Sequence, residues 1–314
     1  MYIEKVIAED LGLSVPYISS VRSRINSLYN RFSIDDRLIC SPKVELRLVQ
    51  TWIANFVRVE SECLPSYITA YENGSSIMKN AMMHAHNPHT FCLDIKGFFR
   101  SCSSEKVSRV FEALRITERE GCPRRLAEDD VAILTELSCL NESLPMGAPS
   151  SPFLANRIMA PIDQAIRSIL PEDSVYTRYS DDICISSTKR IEVEAITTEI
   201  EKVLAENGFS LNQKKIRCGG RGDRRKITGI YVTSEGILSI GKERKKQIQS
   251  DLYRVLMQIR PMSDVSKVWG ELNFCKQVNS EYFNSLVAKY SNYGRAAEYG
   301  GVIPALRSMM KSNT

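Results

Sequence analysis

No run of about 18 consecutive apolar residues, the length a membrane-spanning helix needs, occurs anywhere in the chain. A membrane role is therefore excluded from the reading. There is no Cys-x-x-Cys pair, and the nine cysteines are odd in number and scattered. That pattern argues against a disulfide framework or a zinc site and for reduced thiols in the cytoplasm. Met1-Tyr2-Ile3-Glu4-Lys5 lacks the basic-then-apolar layout of a secretory leader. Internal repeats and low-complexity tracts are absent. Histidine is scarce: all three, His84, His86 and His89, fall within six residues. No cysteine or carboxylate lies beside them to complete a tetrahedral set, and Asn87-Pro88 imposes a turn, so zinc is the weaker reading. His86 and His89 receive no role.

What is present is ordinary in bulk and uneven in detail. With 314 residues, 43% hydrophobic and 25% charged, the chain can bury a good core and form two or three subdomains. The net charge is only +5. Between Lys214 and Arg260, however, thirteen Lys/Arg face four Asp/Glu, a local net of +9. A solvated basic face is the ordinary explanation of such a run; a phosphate backbone is the functional one.

Tyr179-Ser180-Asp181-Asp182 lies between two runs rich in β-branched and aromatic residues, Val175–Tyr179 and Ile183–Ser186. The spacing predicts a β-hairpin with an acidic pair at its turn. Adjacent carboxylates repel, and a hard divalent cation such as Mg²⁺ removes that cost. A solvated Asp-Asp turn is the bland alternative. Phe91-Cys92-Leu93-Asp94-Ile95 is an apolar strand with one aspartate near its end, followed by Gly97-Phe98-Phe99. A charge there needs a partner, because desolvating it alone is expensive. A metal shared with Asp181 would serve; a salt bridge or helix cap would also. Three carboxylates on neighbouring strand ends could hold two Mg²⁺ ions about 3.5–4 Å apart, as in-line phosphoryl transfer requires.

These segments, with Leu144-Pro145-Met146-Gly147-Ala148-Pro149-Ser150-Ser151-Pro152-Phe153-Leu154-Ala155-Asn156 between them, resemble the palm motifs of reverse transcriptases, in the family's order. Asn80-Ala81-Met82-Met83-His84 is similar to the Asn-Ala-x-x-His signature of bacterial retron reverse transcriptases, and Ile227-Thr228-Gly229 to their Val-Thr-Gly element. The resemblance runs over roughly residues 20 to 294. It implies an α+β, right-hand polymerase fold with fingers, palm and helical thumb. The divisions it implies are N-terminal helices and fingers at 1–90, palm at 91–240 with a fingers insertion at about 115–145, and an RNA-binding thumb at 241–314.

The resemblance also implies roles. Asp94 and Asp181 would be the main metal ligands, with Asp182 completing the set or supporting the turn. Lys215 matches the lysine proposed to protonate departing pyrophosphate, with Lys214 as rival. Arg37 would fork onto the triphosphate, faced also by the backbone N–H groups of Gly97 and Phe98. The basic, glycine-containing loop common before that arginine is short here, Ser33-Ile34-Asp35-Asp36. Phe99 matches the bulky residue that excludes a ribose 2′-OH; core packing is its other reading. Met146 stands where many relatives carry glutamine, and Gly147 would let backbone approach the template–nucleotide pair. Asn80 and His84 would form a structural hydrogen-bond pair or touch structured RNA. Arg224, Arg225, Lys245, Lys246 and Trp269 would bind RNA.

The implied activity is an RNA-directed DNA polymerase of retron type. Its template and primer would be a structured non-coding RNA, extended with deoxynucleotides from a guanosine 2′-OH into branched RNA-linked DNA (msDNA). Such enzymes act in phage defence with an effector, here expected on another chain because the sequence ends about twenty residues after Gly294. A group II intron or diversity-generating reverse transcriptase, a palm-fold nucleotidyl cyclase, and a non-catalytic RNA-binding protein that keeps the fold are the alternatives.

Overall fold

A computed structural model describes residues 3–35, 37–117, 123–220, 222–259 and 264–311. Helices α1 (Ile3–Leu11) and α2 (Val15–Ser23) break at Ser14 and Pro16, as those residue types imply: Ser14 caps α2 by accepting from the Tyr17 N–H, and proline sits in its first turn. Strands β1 (Tyr29–Ile34) and β2 (Arg37–Pro42) form an antiparallel hairpin running from Tyr29↔Pro42 to Ile34↔Arg37. The sequence announces only β2. In β1 every residue after Tyr29 is exposed, so it carries no buried-face alternation to read.

Helix α3 (Val44–Glu60) buries Leu46, Val49, Ile53 and Val57 on one face. The turn-rich stretch 60–90 holds a helix, α4 (Ile77–Met83), capped by Ser76. Strand β3 (His89–Asp94) is followed by Gly97, whose φ of +59° places it in the left-handed region that glycine enters without penalty; it opens the short helix α5 (Phe98–Ser101). Then come α6 (Ser104–Ala113), capped by Ser103, the small pair β4 (Ile116–Thr117) and β5 (Pro123–Arg124), and α7 (Glu128–Ser138). Residues 118–122 of the expected fingers insertion lie outside the described residues.

Ser151 before Pro152 reads in the sequence as an N-cap, but helix α8 (Ser151–Ser168) starts one residue earlier than that: Ser150 is the N-cap, and the Ser151 hydroxyl donates to the Pro145 carbonyl. The hairpin strands are β6 (Val175–Tyr179) and β7 (Asp182–Ser187), followed by α9 (Val193–Glu206) and β8 (Arg217–Gly219). Ile227–Val232, which reads in the sequence as one strand, splits into the end of β9 (Arg225–Ile227) and β10 (Ile230–Val232). Thr228 and Gly229, with φ of +43° and +85°, turn between them, and β11 (Leu238–Ser239) pairs next to β10. Helices α10 (Lys242–Leu256), α11 (Val265–Val278), α12 (Ser280–Tyr290), α13 (Gly294–Glu298) and α14 (Val302–Lys311) complete the chain. None of the described helices is long and apolar enough to cross a membrane.

Two compact units result. The first contains residues 1–75, 91–185 and 190–217; the second contains 76–90, 186–189 and 218–314. The first is built on the sheet order β6-β7-β3-β8. Phe91, Leu93, Ile183 and Ile185 from its two central strands pack with Val107 and Phe111 of α6 and Leu154, Ile162 and Ile166 of α8. A near-continuous apolar strand such as β3 is what a sheet with a helix-covered face demands. The Cys92 and Cys184 thiols touch across β3 and β7, 3.1 Å apart. The second unit joins the three-stranded sheet β11-β10-β9 to the C-terminal helices.

Candidate active site

Because β3 and β7 are neighbours, the ends that carry acid meet. Asp94 ends β3, Asp182 begins β7, and the Asp181 carbonyl accepts from the Ile95 N–H at 2.9 Å. Ser180 and Asp181 form the two-residue connection, Ser180 at φ +59°. Asp94 is 6% exposed. Burial raises the Asp181 carboxyl above the usual range, and repulsion from Asp94 adds to it; Arg37 and Lys215 pull the other way. Asp182 is pushed up to about 6, first by burial and then by Asp181 and Asp94, against Arg217 and Lys215.

The surrounding bases answer this charge. Lys215 Nζ lies 2.7 Å from Asp94 Oδ2, and Arg217 Nη2 lies 3.8 Å from Asp182 Oδ1. Lys215 ends a 3₁₀ turn over Gln213–Lys215, anchored by the Asn212 N–H donating 2.8 Å to the Asp94 carbonyl. Its rival Lys214 is the residue before it in that turn. Among the described residues no three His, Cys, Asp or Glu side chains form a ready-made metal cage. The donor set nevertheless suits a hard divalent cation: adjoining carboxylates, two of them raised above the usual range first by burial and then by the neighbouring negative charge.

The other expected site residues fall in the same unit. Arg37 is exposed at the start of β2. Phe98 is buried, with its ring 5.2 Å from Phe99 and 6.4 Å from Phe209. Phe99 is half-buried against the core. The Met146 carbonyl accepts from the Cys40 N–H at 2.7 Å, docking the Met146-Gly147 turn on β2. Gly147 has φ +109°, and a Cβ there would stand 3.0 Å from Ile39 Cγ2 and 3.1 Å from the Cys40 carbonyl, so only glycine fits.

Three expected RNA contacts are corrected. Asn80 is fully buried, its amide donating 3.2 Å to Thr228 Oγ1. His84 is fully buried with Nδ1 2.7 Å from Ser186 Oγ. Arg225 is 4% exposed and donates to the carbonyls of His84, Ala85 and Thr233 at 3.1, 3.1 and 2.7 Å, and to that of Asn87. Their polar groups are used inside the second unit, knitting the α4 segment to β9, β10 and the end of β7. Arg224 and Lys246 are exposed, Lys245 lies 4.2 Å over the Tyr282 ring, and half-buried Trp269 has Arg307 5.5 Å over its ring.

Burial, with Arg225 second, lowers the His84 pKa to about 3. A histidine held neutral in the fold but protonated when unfolded stabilises above its unfolded pKa, and that stability is lost as pH falls toward the folded value. Between pH 7.5 and pH 5 this one group is expected to remove roughly 2 kcal/mol. Urea denaturation at the two pH values should show a smaller drop for His84→Asn; equal drops would assign the acid sensitivity elsewhere.

Sequence reading missed Arg217 and a buried network under the hairpin turn. There Arg178 and Asp163, both fully buried, pair at 2.8 Å, and Asn156 joins them. The available signals were an arginine inside an apolar strand and an aspartate on the apolar face of α8.

Comparison with known proteins agrees with this geometry. The family model described as "Reverse transcriptase (RNA-dependent DNA polymerase)" matches residues 33–232. The chain is similar to the retron Ec86 reverse transcriptase of Escherichia coli, 29% identical over 256 residues, covering 81% of this chain and 76% of that one. It is similar also to the retron Ec83 enzyme of the same species, 24% identical, covering 82% and 84%. Among solved structures, apo telomerase from Candida tropicalis superposes with a TM-score of 0.50 at 9% identity, over 88% of this chain and 60% of that one, a likeness of fold alone. The chain belongs to the reverse transcriptase (RNA-dependent DNA polymerase) family, and within it is an RNA-directed DNA polymerase of the retron type.

Proposed function

We propose that the chain copies part of a dedicated structured RNA into branched, RNA-linked single-stranded DNA, starting from a guanosine 2′-OH of that RNA. The observation that carries the reading is the meeting of Asp94, Asp181 and Asp182 at adjoining strand ends, ringed by Lys215, Arg217 and Arg37. The three carboxylates would hold two Mg²⁺ ions, which when bound make the primer hydroxyl more acidic and neutralise the pyrophosphate. Arg37 offers a planar fork to the incoming triphosphate, and the N–H groups of Gly97 and Phe98 lie at the same turn. Lys215, already beside Asp94, is placed to give a proton to pyrophosphate as it departs. In this reading residues 1–90 serve as fingers, 91–240 as palm and 241–314 as thumb. Arg224, Lys245, Lys246 and Trp269 face the RNA, and the enzyme works in the cytoplasm in phage defence, beside an effector protein.

The test is the nucleic acid that co-purifies with the full chain, followed by synthesis from deoxynucleotides and Mg²⁺. A 2′,5′ junction between RNA and DNA supports the reading; products extended only from 3′-OH ends overturn the retron-type priming.

Phe99→Ala is expected to shift sugar choice toward ribonucleotides by about 10–100-fold, the size of one lost pocket contact. Competition between deoxy- and ribonucleotides measures it, and unchanged selectivity returns the ring to core packing. Replacing Arg224, Lys245 and Lys246 together with alanine should lower the slope of log affinity against log salt by about 2–3. A filter-binding series reads this directly. An unchanged slope removes these side chains from the interface.

A further inference from the structure

Ser180, the residue between Tyr179 and the two aspartates, is held from two sides. From within, the Arg178 guanidinium donates Nη1 to the Ser180 carbonyl at 3.1 Å and to Asn156 Oδ1 at 3.1 Å. The same guanidinium grips Asp163 in a fork: Nε reaches the two carboxylate oxygens at 2.8 and 3.1 Å, and Nη2 reaches Oδ2 at 2.9 Å. Tyr176 donates its hydroxyl to Asp163 at 2.6 Å, and Asn156 is tied in turn to the Ala70 carbonyl at 2.9 Å. From the other side, Tyr71, itself at φ +64°, donates its hydroxyl to Ser180 Oγ at 2.9 Å.

Arg178 is the largest fully buried side chain among the described residues. A buried ion pair adds little stability compared with apolar side chains of similar volume, because desolvating both charges offsets their attraction. Packing alone therefore does not account for it. Besides its bonds to Asp163 and Asn156, it donates to the carbonyl immediately before Asp181. That peptide sits next to the left-handed φ of Ser180, a conformation a non-glycine residue keeps only under external constraint.

We propose that Arg178, locked by Asp163 and Asn156, and Tyr71 from the opposite side, are positioning residues that clamp Ser180 and so fix the direction in which Asp181 and Asp182 leave the turn. The proposal rests on the reading of those aspartates as the catalytic ligands. It assigns helix α8 a task beyond covering the sheet: supplying the two side chains that hold the arginine.

The test uses the full chain with its co-purified RNA. An Arg178→Met, Asp163→Leu double variant removes both charges while keeping the volume filled. Folding by circular dichroism and RNA affinity should stay as in the parent. Turnover should fall about 100-fold, the effect of a sub-ångström to ångström misplacement of reacting groups, with nucleotide KM changed less than about threefold. The Mg²⁺ concentration for half-maximal rate should rise about tenfold. A folded double variant with parental turnover and Mg²⁺ dependence overturns the proposal. Should it not fold, Tyr71→Phe, which deletes one part-buried hydroxyl, carries the test. It should lower turnover about 5–10-fold at unchanged KM, and parental turnover there overturns the clamp. Asp181→Asn run in parallel separates the two ideas: synthesis surviving in it defeats the catalytic reading, whereas its loss beside fully active clamp variants defeats only the clamp.

Discussion

Asp181→Asn is expected to leave RNA binding intact and to reduce DNA synthesis by at least about 1,000-fold, or 4 kcal/mol of barrier. The amide keeps the shape and most of the hydrogen bonding of the carboxylate, so the hairpin turn should survive. What it loses is the charge, and the site is organised around charge. Arg37 and Lys215 both favour the ionised form of Asp181, while Asp94 and burial oppose it. A neutral side chain leaves those bases facing a weaker acid pair and removes one of the oxygens able to bind a hard cation tightly. RNA binding should not follow, because the residues read as touching RNA lie in another part of the chain, from Arg224 onward. Primer extension and gel retardation on the same preparation measure both quantities. Synthesis within tenfold of the parent would remove Asp181 from the chemistry, and with it the proposed two-ion mechanism.

Much of this site was legible because its chemistry is local. An acidic pair between two β-rich runs, an aspartate ending an apolar strand and a Gly-aromatic-aromatic turn each declare themselves within a few residues. The structure places them on neighbouring strands, β7 and β3. What stayed hidden is long-range. Nothing local tells that Arg178 meets Asp163 fifteen residues earlier, or that Arg225 closes on carbonyls some 140 residues before it. The Arg225 error has a definite cause. Within a run of bases, charge counting treats every arginine as solvent-facing, yet β9 alternates, and its burial pattern turns Arg225 inward and Lys226 outward. For Asn80 and His84 the sequence left a structural hydrogen bond or an RNA contact open; the structure uses both inside, but on separate partners, the Thr228 and Ser186 hydroxyls. Strand β1 was missed for the opposite reason, since a strand exposed on both faces beyond Tyr29 has no hydrophobic period to reveal it.

Asp182→Asn should make the metal-free protein more stable while making it a poorer polymerase. The folded state holds the Asp182 proton with a pKa of about 6, about two units above an ordinary aspartate. A carboxyl whose folded pKa is raised disfavours the fold when ionised. The cost begins as pH rises through the unfolded value, grows until about pH 6 and is constant above it. Two units correspond to nearly 3 kcal/mol at most; with the side chain 28% exposed, a gain of about 1–2 kcal/mol for the asparagine is the expectation at pH 7.5. That is about 2–8 °C in melting temperature for a unit of this size. The gain should shrink toward zero near pH 4, where the parent aspartate is protonated in the fold as well. Added Mg²⁺ should close the gap from the other direction by stabilising the parent more than the variant. Thermal melts in chelator at pH 4 and 7.5, repeated with Mg²⁺, cover all of these outcomes. A parent as stable as the variant in chelator at pH 7.5 would mean that Arg217, 3.8 Å away, already compensates the charge in full. The acidic turn would then be a settled ion pair rather than a site kept under electrostatic tension for a cation.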